Sequence, residues 1–161
     1  MLCVIIARWN SYLNEYRDAR LGIWESEYPT QGAMWNFVDN HVPAAATLAY
    51  SNLFLIYPLH GFDDQRRLIY APVRHGASIS TLVLPDRISD ADLNQKAIDA
   101  ANSLADPLAW KQNLRAAGAK YFIVGLGSDA PEIAWARADP AHFVKLFEDA
   151  DSAVYRIEGL H

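Results

Sequence analysis

The sequence predicts an α/β fold: a Rossmann-like, three-layer domain with a mostly parallel sheet of four to five strands, its C-terminal strand antiparallel or at the edge. Three observations carry this reading. Strand-like and helix-like stretches alternate along the chain, the order expected when crossovers lay helices against a parallel sheet. Lys120 to Gly125 (KYFIVG) is apolar on both faces, as a central strand with parallel neighbours must be. Asp106, Pro107 and Gly118 frame a helix with a cap, a first-position proline and a stop.

The elements follow in order. Residues 1–32 read as a lead-in and residues 33–161 as a single α/β domain. Within the lead-in, Leu2 to Ala7 is a short apolar run, followed by Arg8, Trp9, Tyr12 and Tyr16. It is too short to span a bilayer, which needs about 20 apolar residues. Two readings stay open: a strand or helix start that packs on the core, or the tail of a membrane helix, since aromatic and basic residues favour the membrane interface.

A first helix begins with Thr30 as cap. It shows Met34, Phe37, Val38 and His41 or Val42 at three- and four-residue spacing, and Pro43 ends it. Ala46 to Tyr50 is a short strand. Ser51 to Gly61, with Pro58 inside it, reads as a short helix or ordered loop. Arg67 to Pro72 is a second strand closed by proline, and Ser78 to Leu84 an edge strand. Ser89 and Asp92 open a helix running to about Leu104. The helix after Asp106 turns Leu108, Trp110, Leu114 and Ala117 inward. Pro131 opens another helical piece with Ile133, Ala134 and Trp135. Asp139 and Pro140 repeat the cap signal, predicting a helix with Phe143, Val144 and Phe147 inside. Ser152 to Glu158 alternates, which predicts an edge strand with one wet face.

Composition narrows the function classes. At 161 residues the chain fits one domain. A domain this long buries roughly 70% of its unfolded surface, so it needs no metal or disulfide to hold a core. The net charge of −5 comes with no basic face, which argues against a nucleic-acid partner. The single cysteine, Cys3, excludes an internal disulfide and a cysteine-based zinc site. His41, His60, His75, His142 and His161 have no metal-ligand spacing, so neither a metal nor a cofactor is expected. No G-x-S-x-G elbow is present, and no catalytic residue is assigned.

In open parallel sheets, ligands bind outside the carboxyl ends of the strands. The richest segment there is Tyr50 to Arg66. Tyr50, Asn52, Tyr57, His60, Asp64 and Arg66 are its candidate ligand-binding residues. Tyr57, His60 and Asp64 have the groups for acid–base work, and aromatic faces with carboxylates suit a sugar ring. The plainer reading is buried, satisfied Tyr57 and His60 beside an ordinary polar turn at Asp63 and Asp64. A second candidate is a phosphate loop at Gly125, Gly127 and Ser128. It departs from G-x-G-x-x-G, because Pro131 stands where no third glycine is available, and the Walker lysine is missing. Trp35, Trp110 and Trp135 sit at core spacing on helices and read as packing.

The tracts PAAATLAYSNLFLIYPLHG, RRLIYAP, WKQNLRAAGAKYFIVG and PEIAWARADPAHFVKLFEDADSAVYRI cover about residues 33 to 158. Together they resemble the C-terminal soluble domain of multi-spanning membrane glycosyltransferases of the protein mannosyltransferase and lipid-linked-sugar transferase type. The motifs are packing patterns, not catalytic signatures. The resemblance implies a location outside the cytoplasm, on the face of a membrane. It implies that the apolar run at Leu2 to Ala7 ends the last membrane helix, and that the chain's own membrane portion is a partner. A glycan or lipid-linked sugar is the implied ligand. No functional residue transfers, because that group's acidic site residues lie in loops this chain does not contain. The expected role is a non-catalytic accessory or binding domain. The alternative is a small stand-alone enzyme, or a nucleotide- or sugar-binding protein, using the sheet's carboxyl edge.

Overall fold

The structure, a computed structural model, describes residues 28–53, 56–61, 65–73, 104–126 and 130–160, with Gly22 and Ser26 besides. The apolar run at Leu2 to Ala7, the expected strand Ser78 to Leu84, and the helix from Ser89 up to residue 103 lie outside the described residues. Among the described residues no helix is long and apolar enough to cross a membrane.

Helix α1 spans Pro29–His41. Proline stands at its start, where the absent N–H costs nothing. Thr30, expected as the cap, therefore falls inside the helix, and Tyr28 precedes it without a side-chain cap. The helix ends because Val42 precedes Pro43. A residue before proline is pushed out of the α region, and Val42 is extended at φ −105°, ψ 127°. Strand β1 (Thr47–Ser51) follows, then a 3-10 turn at Tyr57–His60, then β2 (Arg67–Tyr70).

Helix α2 (Pro107–Ala117) matches its sequence signals at both ends. Asp106 Oδ1 accepts from the Leu108 amide at 2.8 Å. At the other end Gly118 turns left-handed, φ 67°, and its N–H reaches back to Arg115 and Leu114. Then come β3 (Tyr121–Gly125), α3 (Pro131–Ala138), β4 (Phe143–Glu148) and β5 (Ser152–Ile157).

The five strands form one mixed sheet in the order β2-β1-β3-β5-β4. Its β2-β1-β3 half is parallel and its β3-β5-β4 half antiparallel. Strand β3 is central and buried, as expected, with a parallel neighbour on one side only.

Side chains alternate across the strands and so divide between two buried clusters on opposite faces. One face joins Ala49, Ile69, Phe122, Val124, Ala153 and Tyr155 to Trp110 and Leu114 of α2 and Ile133 and Ala136 of α3. The other joins Leu48, Tyr50, Leu68, Ile123 and Val154 to Met34, Trp35 and Val38 of α1. Trp35 and Trp110 are buried core residues, in keeping with their helical spacing.

Two expectations are corrected. Phe143 to Glu148 is a strand, not a helix. Asp139 ends α3 and begins a turn in which its carbonyl accepts from the Phe143 amide at 2.9 Å. Phe143 and Phe147, whose four-residue spacing suggests one helical face, point to opposite sides of the sheet. Phe143 stacks on Trp110 at 5.0 Å, whereas Phe147 stacks on Phe37 at 5.0 Å. A bulge makes this possible. Lys145 pairs with Tyr155 and Phe147 with Val154, so Leu146 is an extra residue that reverses the alternation. Asp149 fixes the hairpin turn by accepting from the Asp151 and Ser152 amides.

The second correction concerns β5. It is antiparallel, but it lies between β3 and β4 instead of at the edge. On the face read as wet, Val154 is covered by α1 and fully buried, while Arg156 stays exposed.

Candidate functional site at the β1–β3 junction

The strand order locates a topological switch. From β1 the chain goes to β2 on one side, then crosses over to β3 on the other. Both neighbours run parallel to β1. Connections that leave adjacent strands in opposite directions open a gap at their carboxyl ends, and this is where such sheets hold ligands. Here that position is the end of β1 beside the end of β3, where Ser51 pairs with Val124.

Four residues meet there. Asn52 leaves β1 in the left-handed region at φ 50°, a conformation asparagine tolerates better than most residues. Its Nδ2 donates to the Gly125 carbonyl at 2.9 Å. Gly125 is required by that approach, because a Cβ at this position would lie 2.1 Å from the Asn52 carbonyl oxygen. Ser51 Oγ donates to Glu132 Oε1 at 2.9 Å, and both residues are buried. Glu132 belongs to the first turn of α3. Burial pushes its carboxyl above the ordinary value of 4.5; the hydrogen bonds from its own backbone and from Ser51 pull the other way and are outweighed.

Beside this junction, α3 and the β4–β5 turn bound an open groove of about 640 Å³, with Leu126, Ala130, Pro131 and Ile133 along it. Arg137 and Glu148 form an ion pair at 3.0 Å on its wall, and Lys145 holds the other Glu148 oxygen at 2.8 Å. Lys145, with Arg137 and against a little burial, keeps the Glu148 carboxyl below its ordinary 4.5.

The residues expected to bind a ligand are dispersed. Asn52 and Gly125 come together at the junction. Tyr50 points into the core under α1, where its hydroxyl finds no hydrogen-bond partner among the described residues. Tyr57 and His60 share the 3-10 turn, rings 6.4 Å apart, Tyr57 exposed. Arg66 is at the other end of the sheet, just before β2. The five residues of β1 separate its level from Asn52, roughly 20 Å at the usual rise. Its guanidinium is buried against the end of α1, bonded to Asp39 at 2.8 Å and to the Val38 and Val42 carbonyls. It thus places a cation on the negative end of a helix. Asp64, Gly127 and Ser128 lie outside the described residues.

Ser51 and Glu132 are the residues that sequence reading missed. A serine closing an apolar strand and a glutamate in a helix's first turn are both ordinary locally. Only the pairing of β1 with β3 brings them together across 81 positions of sequence. A second polar cluster, Lys111, Asp139 and His142, ties α2 to the end of α3 and the start of β4. The Lys111 ammonium, helped by His142 and opposed by slight burial, holds Asp139 below 3.8. Among the described residues no group of histidines, cysteines and carboxylates could hold a metal. No protein-family model matches the chain, and no curated protein matches it.

Proposed function

We propose that this chain is a non-catalytic binding module: the accessory domain of a membrane glycosyltransferase-like protein, helping to hold an acceptor or glycan at the β1–β3 junction. In this reading the fold is Rossmann-like and three-layered, with α2 and α3 on one face of the sheet and α1 on the other. Its partner is then its own membrane portion, and its place is the outer face of that membrane. One observation carries the reading. At the topological switch, Asn52 and Gly125 close on each other, Ser51 bonds to Glu132, and Asn52 is exposed. The polar groups there bond to one another, the Ser51 hydroxyl to a carboxyl and the Asn52 amide to a carbonyl. In this reading that arrangement shapes a surface in which the Ser51 hydroxyl and the Asn52 amide are each held by a neighbour.

Amide chemical-shift mapping with short oligosaccharides tests it. Signals of Ser51, Asn52, Leu126 and Glu132 should move together, with affinities of about millimolar. Shifts confined to other surfaces, or none, would overturn the assignment.

A second reading has one observation in its favour. A buried carboxyl that keeps its proton above the ordinary range can act as a general acid, so Glu132 fits a small enzyme working at the same edge. Turnover of a sugar or nucleotide substrate that Glu132→Gln abolishes, with binding retained, would establish it.

A further inference from the structure

We infer that α3 is a pH-sensitive flap hinged at its C-terminal end: as pH rises, loss of the Glu132 proton frees its first turn from the end of β1, while Arg137 and Asp139 keep its far end in place. This motion is independent of what the domain binds. It follows from a difference between the two ends of one short helix. At the first turn Glu132 is 3% exposed, and its Oε1 accepts from Ser51 Oγ at 2.9 Å. Burial, its own backbone amide and Ser51 act on that carboxyl; among the described residues no charge does. Asp39, Asp139 and Glu148 each face a cation instead, Arg66, Lys111 and Arg137 in turn. A buried carboxylate without a cation is costly, so the contact with Ser51 is made by the protonated acid.

The far end of the helix has the reverse requirement. Arg137 pairs with Glu148 at 3.0 Å, Lys145 of β4 holds the other Glu148 oxygen, and the buried Tyr155 hydroxyl of β5 lies beside Arg137. Asp139, at the helix end, takes Lys111 from α2 and His142 from just before β4. These pairs need ionised carboxylates, and rising pH leaves them so. A neutral imidazole keeps one N–H, so His142 can still donate from Nδ1 to Asp139. Raising pH therefore works on one end of the helix only. The groove beside α3 follows it. Ala130, Pro131 and Ile133 line the groove from the end that is freed, and Arg137 from the end that is held, so the groove opens from its Ala130 end.

Amide hydrogen exchange on the intact chain tests this between about pH 4 and about pH 9, the range buried glutamates span. Protection factors, taken against the unfolded chain at each pH, remove the intrinsic rate. The Ile133 amide, which donates to the Ala130 carbonyl at 3.2 Å, reports the first turn. The Phe143 amide, which donates to the Asp139 carbonyl at 2.9 Å, reports the far end. Ile133 protection should fall by up to tenfold per pH unit above about 4.5, then level off once the closed state has itself ionised, while Phe143 protection holds. Glu132→Gln should make Ile133 protection independent of pH. Ser51→Ala serves if that variant does not fold. It removes a donor that favours the ionised carboxyl, so the levelling-off should move to higher pH. Ile133 protection that stays flat in the native chain, that falls together with Phe143, or that still falls in Glu132→Gln overturns the inference. A levelling-off that Ser51→Ala does not move overturns it as well.

Discussion

Glu132 buries a carboxyl, and the sign of the resulting pH dependence follows from its environment. Its folded-state value is raised, so the native state holds the proton more tightly than the unfolded chain does. Its contribution is therefore fully present below about 4.5, the unfolded value, and is lost as pH rises through the folded one. Glu132→Gln, which cannot ionise, should gain stability relative to the native chain as pH climbs above that range. Urea unfolding at several pH values measures it, and a difference independent of pH would refute the burial argument. Asp139 has the opposite sign. Its depressed carboxyl, paired with Lys111, stabilises the fold above about 3.8, and that contribution fades as the solution is acidified further.

Arg66 illustrates how a residue's type is legible while its role is not. A charged residue after a polar turn resembles a ligand contact in sequence. Its actual partners, Asp39 and two carbonyls at the end of α1, are more than twenty positions away. Replacing it with methionine should cost about 3 kcal/mol or more, because Asp39 and those carbonyls lose their donor in a buried site. Denaturant midpoints of Arg66→Met against the native chain measure this directly.

Local signals suffice for the elements whose ends are chemically marked. Helix α2 is one: its cap, first-position proline and terminal glycine are all local. Gly118→Ala should cost about 1–2 kcal/mol, the penalty of a side chain in the left-handed region, with no steric clash added because nothing lies within 4 Å of the new Cβ. Gly125→Ala should cost at least as much for the opposite reason. Its added carbon meets backbone, the Asn52 carbonyl, and a backbone atom cannot swing aside. Thermal unfolding of the two variants, with amide shifts at Asn52 as a local probe, separates the causes. Only Gly125→Ala should disturb the β1–β3 junction.

Strand β4 shows where local pattern falls short. FVKLFE satisfies a helical spacing and a strand composition alike, and a short apolar run does not decide between them. What decides is the turn at Asp149 and the partner strand β5, together with the bulge at Leu146. The same kind of information is needed for β5. Its alternation is real, since Arg156 is exposed, but whether a face is wet depends on α1, which lies more than a hundred positions earlier.

At the scale of the whole molecule, topology brings together residues that no motif connects. The sheet's order brings the ends of β1 and β3 together, and of the residues that meet there Asn52 and Gly125 stand out in sequence while Ser51 and Glu132 do not. The two faces are built differently. One is an aromatic cluster of Trp110, Phe122, Phe143 and Tyr155; the other, among the described residues, rests on α1. That helix is fastened at its end by Arg66 and at its flank by Phe37 on Phe147.

The extra residue at Leu146 also bears on how copies of this chain avoid one another. Strand β4 is the outermost strand on its side of the sheet among the described residues, and a regular outer strand is a template on which another chain can add. The bulge breaks the hydrogen-bonding rhythm a newcomer would have to copy, and Lys145 and Glu148 add charge along the same strand. Deleting Leu146 would restore that rhythm while leaving Phe147 opposite Val154 and facing α1. The shortened chain should self-associate at concentrations where the native chain does not, which light scattering would register.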